Sequence, residues 1–110
     1  MEKIQFIDLK KLEPDQQDVV KKISTEYYGK IERELRNITA LVIHIKEYKK
    51  GHKFSIHMRA EAPTGIFESK KAADWDLART MHKAFKDLER EIQHAIHKDK
   101  GWKPTNEQDE

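Results

Sequence analysis

The sequence predicts a two-layer α+β domain in the order β-α-β-β-β-α, a sandwich of one four-stranded sheet with two helices on one face. Three observations predict it. Apolar residues recur every three or four positions from Val20 to Leu35, every second position from Leu41 to Met58, and every three or four again from Leu77 to Ile96. Turn-forming runs, Lys49-Lys50-Gly51-His52 and Ala62-Pro63-Thr64-Gly65, separate the alternating stretches. A chain of 110 residues has material for one core and not two. Residues 1–101 are therefore read as a single domain, and 102–110 as a flexible acidic tail.

Each element has its own signal. Ile4-Gln5-Phe6-Ile7 reads as a short first strand. Glu13-Pro14-Asp15 begins a helix, because proline loses nothing in the first turn and Asp15 suits the positive end of the helix dipole. Val20, Ile23, Tyr27, Ile31 and Leu35 then form one face of a helix running to near Asn37. Gly29 within it costs about 1 kcal/mol of helix propensity relative to alanine. Next, Leu41, Ile43 and Ile45 alternate with Val42, His44 and Lys46, and Phe54, Ile56 and Met58 alternate with Ser55, His57 and Arg59. A two-residue turn at Lys50-Gly51 sets Ile43 opposite Met58 and Ile45 opposite Ile56 on one face, with His44 opposite His57 on the other. A slip of two residues keeps these faces and changes the partners. A further short strand begins Ile66-Phe67-Glu68. The second helix carries Leu77, Met81, Ala84, Phe85, Leu88, Ile92, Ala95 and Ile96 along one side; Asp74 or a neighbour caps its start, and Gly101 and Pro104 end it.

Composition removes whole classes of function. With no cysteine there is no disulfide, thiolate metal site or cysteine nucleophile. No apolar run approaches the roughly 20 residues of a membrane span, and Met1-Glu2-Lys3-Ile4 lacks secretory signal architecture, so a cytoplasmic chain without membrane contact is expected. No Gly-rich phosphate loop or nucleophile elbow surrounds Ser55 or Ser69, and Glu89 and Glu91 sit on a helix surface. The expectation is a binding protein, not an enzyme, with no cofactor and no small-molecule substrate.

Charge placement says more than the net +2. On a helical wheel Arg79, Lys83, Lys86, Arg90, His94 and His97 fall within about 80° of one another, nearly opposite the apolar stripe. Lys22, Arg33 and Arg36 likewise lie opposite the core of the first helix, with Lys21 and Lys30 to its sides. A face opposite a core is ordinarily just solvated, but in a chain with 22 basic and 20 acidic residues such a face should mix signs. A single-sign stripe suits phosphate binding, where neutralisation releases counterions and gives salt-sensitive, sequence-independent affinity. Structured RNA, with its base edges hidden in a deep groove, fits two basic ridges. Phe54 and Phe85 point to the core, so no aromatic pair for base stacking is expected on the open sheet face.

Two stretches carry a family resemblance. Lys30-Ile31-Glu32-Arg33-Glu34-Leu35-Arg36-Asn37-Ile38-Thr39, and Asp76-Leu77 through Lys86-Asp87-Leu88-Glu89-Arg90-Glu91-Ile92 to His97-Lys98-Asp99-Lys100, within this element order, resemble the ribosome hibernation-promoting factor family in its short single-domain form (the ribosome-associated inhibitors, or subunit-interface proteins). The likeness spans roughly residues 3–100; Ala78 stands where the family usually has tyrosine, and Asp87 where it usually has lysine. It implies a fold like that of double-stranded-RNA-binding domains and binding to small-subunit ribosomal RNA. It further implies steric occlusion of the messenger and transfer RNA channel, as part of a stress response. By motif match the RNA-binding role passes to Lys30, Arg33, Lys86, Arg90, Lys98 and Lys100. Lys22, Arg36, Arg79, Lys83, His94 and His97 join them through the wheel alone. A monomer is expected.

Other readings remain. The same fold suits a protein-interaction or structural module using its open sheet face or edge, or a binder of free double-stranded RNA. His44 with His57, and His94 with His97, lack a third metal ligand, so no metal site is expected. The Lys49–Lys53 turn reads as a solvated hairpin tip, and Trp75 as a residue packed at the start of the second helix.

Overall fold

The structure is a computed structural model that describes residues 3–48 and 53–99, the last three as backbone alone. Its elements are β1 (Ile4–Ile7), a single 3-10 turn (Leu9–Lys11), α1 (Pro14–Glu34), β2 (Ala40–Tyr48), β3 (Lys53–Ala62), β4 (Gly65–Glu68), β5 (Ala72–Asp74) and α2 (Leu77–Asp99). β1 runs parallel to β2, with α1 as the crossover, and every other pairing is antiparallel. The result is an α+β domain with a mixed sheet in the order β1-β2-β3-β4. The turn residues 49–52, the helix end at Gly101 and Pro104, and the expected acidic tail lie outside the described residues.

The hairpin register matches the sequence pattern residue for residue: Ile43 faces Met58, His44 faces His57 and Ile45 faces Ile56. Burial explains why no one-residue slip occurs. Leu41, Ile43, Ile45, Ile56, Met58 and Ala60 are buried on the inner face, and a shift by one residue would send all of them into water.

The fourth strand position departs from expectation. Sequence reading gives one short strand from Ile66, whereas the structure pairs β3 first with β4 and then with β5. Ser69 extends the β4 ladder: its N–H donates to the Met58 carbonyl at 3.0 Å, and its hydroxyl accepts the Met58 N–H at 3.0 Å. Because Ile56 pairs with Ala72, both Lys70 and Lys71 fall opposite the single residue His57. This is a β-bulge in one long edge strand. Asp87 of α2 accepts the Lys70 N–H at 2.6 Å and supports the irregular backbone.

The first helix ends three residues earlier than the apolar spacing suggests. Leu35 donates the last helical bond, to Ile31 at 2.7 Å, and Asn37 takes φ +62°, which swings the chain towards β2. Asparagine tolerates this left-handed conformation better than most residues do. At the other end Pro14 occupies the first turn, and the Gln16 side chain accepts the Glu13 N–H at 3.0 Å. Asp76 caps α2, its carboxylate accepting the Arg79 N–H at 3.0 Å.

Both apolar stripes meet the sheet in one core. The helices lie side by side in the same direction: the Tyr27 ring stacks on Phe85 at 4.5 Å, its hydroxyl meets His82 Nδ1 at 2.8 Å, and farther along Gln93 donates to Glu34 at 3.0 Å. Phe85 is fully buried between the helices and the sheet. Phe85→Ala is expected to lose about 3–5 kcal/mol in urea unfolding, a large part of a small domain's stability. A methyl group at Gly29 would meet no atom within 4 Å. Gly29→Ala is accordingly expected to raise the unfolding free energy measured in urea by about 0.5–1 kcal/mol, since helix propensity is gained without a clash.

Candidate nucleic-acid interface

The basic arc of α2 exists, but carboxylates interrupt it. Arg79, Lys83, Lys86, Arg90 and His94 are all exposed, facing away from the buried stripe. Asp74, at the end of β5, accepts two bonds from the Arg79 guanidinium at 3.0 Å each and one from Lys83 Nζ at 2.6 Å. Asp87 lies 3.5 Å from Arg90. Three of the four permanent cations are therefore paired, with two carboxylates between them, a weaker excess than the wheel alone implies. The side chains of His97 and Lys98, and Lys100 altogether, lie outside the described residues.

Pairing does not exhaust these cations. Arg79 keeps guanidinium protons that do not point at Asp74, Lys83 has two further ammonium protons, and the two side chains are 62% and 54% exposed. Asp74 holds both in place, so phosphate binding would cost less side-chain entropy. Lys86 makes no ion pair among the described residues.

On α1 the outer surface is mixed. Lys22 and Arg33 on the helix, and Arg36 just past its end, are exposed as expected, but Asp15, Asp18 and Glu26 are exposed on the same arc as Lys22 and Arg33. Arg33 Nε turns back to the Gly29 carbonyl at 3.3 Å. Lys30 projects over the Tyr27 ring at 5.0 Å, which puts it in the groove between the helices beside Lys86 and Glu89. Burial, and then the like charge of Glu34, push Glu89 above the ordinary carboxylate range, while Lys30 and Lys86 pull it back. The structure thus brings Lys30 towards the α2 arc, whereas Lys22 stays on the outer side of α1, and Arg36, past the helix end, lines a separate hollow with Asn37, Thr64, Phe67 and Ile96.

The outer face of the sheet differs from expectation in one respect. His44 and His57 are neighbours there, but each has its own carboxylate: Asp8 at 3.1 Å and Glu68 at 3.2 Å. No group of three or more metal-binding side chains occurs among the described residues. Two aromatic rings do stand on this face. Tyr48 is exposed, and Trp75, expected to pack at the start of α2, is 64% exposed instead. The sequence signal was available, since Tyr48 continues the outward-facing positions His44 and Lys46.

No protein-family model matches the chain, and no curated protein matches it. Among solved structures it is similar to a ribosomal subunit interface protein from Coxiella burnetii, with a TM-score of 0.59 and 15% sequence identity over 84% of this chain and 96% of that one. At that identity the likeness is one of fold. No helix among the described residues is long and apolar enough to cross a membrane.

Lys83 first, then Arg79, hold the Asp74 carboxyl well below the ordinary carboxylate range. A group whose folded pKa is lowered stabilises the fold above its unfolded pKa and loses that contribution as pH falls towards the folded value. Asp74→Asn is therefore expected to lower stability at pH 7 and to make the decline between about pH 5 and pH 2 shallower than in the parent protein. Urea unfolding across that range checks this; parallel acid limbs would show that the cluster contributes nothing to stability.

Proposed function

We propose that the chain binds the ribosome, docking on small-subunit ribosomal RNA and occupying the channel used by messenger and transfer RNA. The observation that carries this reading is the exposed basic arc of α2, with Lys30 beside it, on a fold shared with a ribosomal subunit interface protein. Lys86, Arg90 and Lys30 are the principal phosphate contacts. Arg79 and Lys83 add two cations already oriented by Asp74. Arg33 lies at the margin, Lys22 contributes only to the long-range field, and Arg36 adds a cation near Ile96 towards the far end of α2. His94, exposed on the same face, extends the arc along the helix, while the RNA contacts expected of His97, Lys98 and Lys100 fall on side chains outside the described residues.

The action is steric. A folded wedge held by phosphate contacts excludes RNA from the same space and performs no chemistry. Because affinity rests on counterion release, it falls steeply with salt. Co-sedimentation with small subunits at about 50 mM salt, and its loss at several times that concentration, is the expected result. Lys86→Glu combined with Arg90→Glu is expected to reduce the bound fraction at least tenfold while leaving the far-ultraviolet circular dichroism unchanged. A folded double variant that still pellets with ribosomes overturns helix-face docking. Equal affinity for naked RNA duplex in a gel shift would make the protein a general double-strand binder instead.

A further inference from the structure

The helix surface leaves the outer face of the sheet unexplained. There, Tyr48, Lys53, Ser55, Lys71, Ala73 and Trp75 surround an open hollow of about 510 Å³. That is within the roughly 300–1,000 Å³ typical of small-ligand sites. Its walls combine flat aromatic surface with positive charge. Lys53 Nζ lies 5.6 Å from the Trp75 ring centroid, and Lys46 Nζ, on the residue paired with Ser55, lies 5.8 Å from the Tyr48 centroid. None of the described lining residues is acidic.

Each candidate ligand class can be weighed against that lining. Sugars need carboxylate or amide partners for their hydroxyl groups, and among the described lining residues there is none, the neutral hydroxyls being those of Ser55 and Tyr48. An acidic peptide would use the lysines and leave the indole in water. A nucleotide uses both features, because every base has a face to stack on an aromatic ring and every linkage carries a phosphate. We propose that the hollow takes one unpaired nucleotide of single-stranded RNA, its base against Trp75 and Tyr48 and its phosphate among Lys46, Lys53 and Lys71. This surface faces away from the helices, so the site is separate from the docking surface on α2.

The test uses the full chain carrying Trp102→Phe, which leaves Trp75 as the sole tryptophan. Adding hexa-adenylate should quench its emission saturably, with weaker binding as salt rises and weaker still for adenosine monophosphate. Lys53→Glu with Lys71→Glu should lower the affinity roughly tenfold or more, and Trp75→Ala, followed by anisotropy of a labelled hexamer, should lower it by a similar factor. Circular dichroism checks that each variant is folded, and the lysine pair removes no aromatic packing. The proposal is overturned by an absence of saturable quenching at millimolar hexa-adenylate, by unchanged affinity in the folded lysine variant, or by equal binding of hexaglutamate or of an RNA duplex. A parent chain that sediments with ribosomes but never binds hexa-adenylate would remove the hollow alone, and one that binds hexa-adenylate but never sediments would remove the helix docking alone.

Discussion

A two-layer domain buries one face of each layer and leaves the other to water. That constraint governs everything else in this protein. The apolar stripe of α2 is fully buried at Met81, Ala84, Phe85, Leu88 and Ile92, so the opposite arc is exposed whatever residues it carries. The inner face of β2 and β3 is committed in the same way, which leaves His44, Lys46, Tyr48 and Lys53 on the open side. The two surfaces differ in character because polar side chains, not packing, occupy them.

The bulge opposite His57 links the two surfaces. Side chains on a strand alternate, so one added residue inverts the facing of everything after it. With Lys70 and Lys71 both opposite His57, Ala72 and Asp74 face the helices, while Ala73 and Trp75 face outward. Without the extra residue Asp74 would point to open solvent and Trp75 towards the core. A single inserted position therefore supplies the carboxylate that orients Arg79 and Lys83 and the indole that walls the outer hollow. The bond from the Lys70 N–H to Asp87 holds that position, and Asp87 stands where the resembled family usually has lysine.

This also explains what the sequence made legible. Periodicity identified both helices, the two faces of β2 and β3 and the buried positions, because each rests on many residues repeating one pattern, while the β2–β3 register followed only once the turn was placed at Lys50-Gly51. The bulge rests on a count of one and on the polar run Ser69-Lys70-Lys71, which has no period, so β5 went unseen. The missing parity then propagated. Asp74 could be considered only as a cap for α2, a role that Asp76 fills, and Trp75 could not be assigned to the outer face. On α1 the error had a different source. Its basic residues were placed on the wheel without the acids of the same arc, and Asp15, Asp18 and Glu26 turn out to share their exposure.

Charge along α2 is thus held in place as much as it is accumulated. Four free cations on one helix face would repel each other and sample many rotamers, and each would lose that freedom on meeting phosphate. Asp74 reduces the repulsion and fixes two of the four, yet both remain more than half exposed, with protons left to donate. The carboxylate lies at the sheet edge beneath the arc and is itself only 10% exposed. A phosphate approaching from outside therefore meets the cations first. With the anion mostly covered and the cations exposed, this cluster of two cations and one carboxylate presents its positive side to a ligand that arrives from outside.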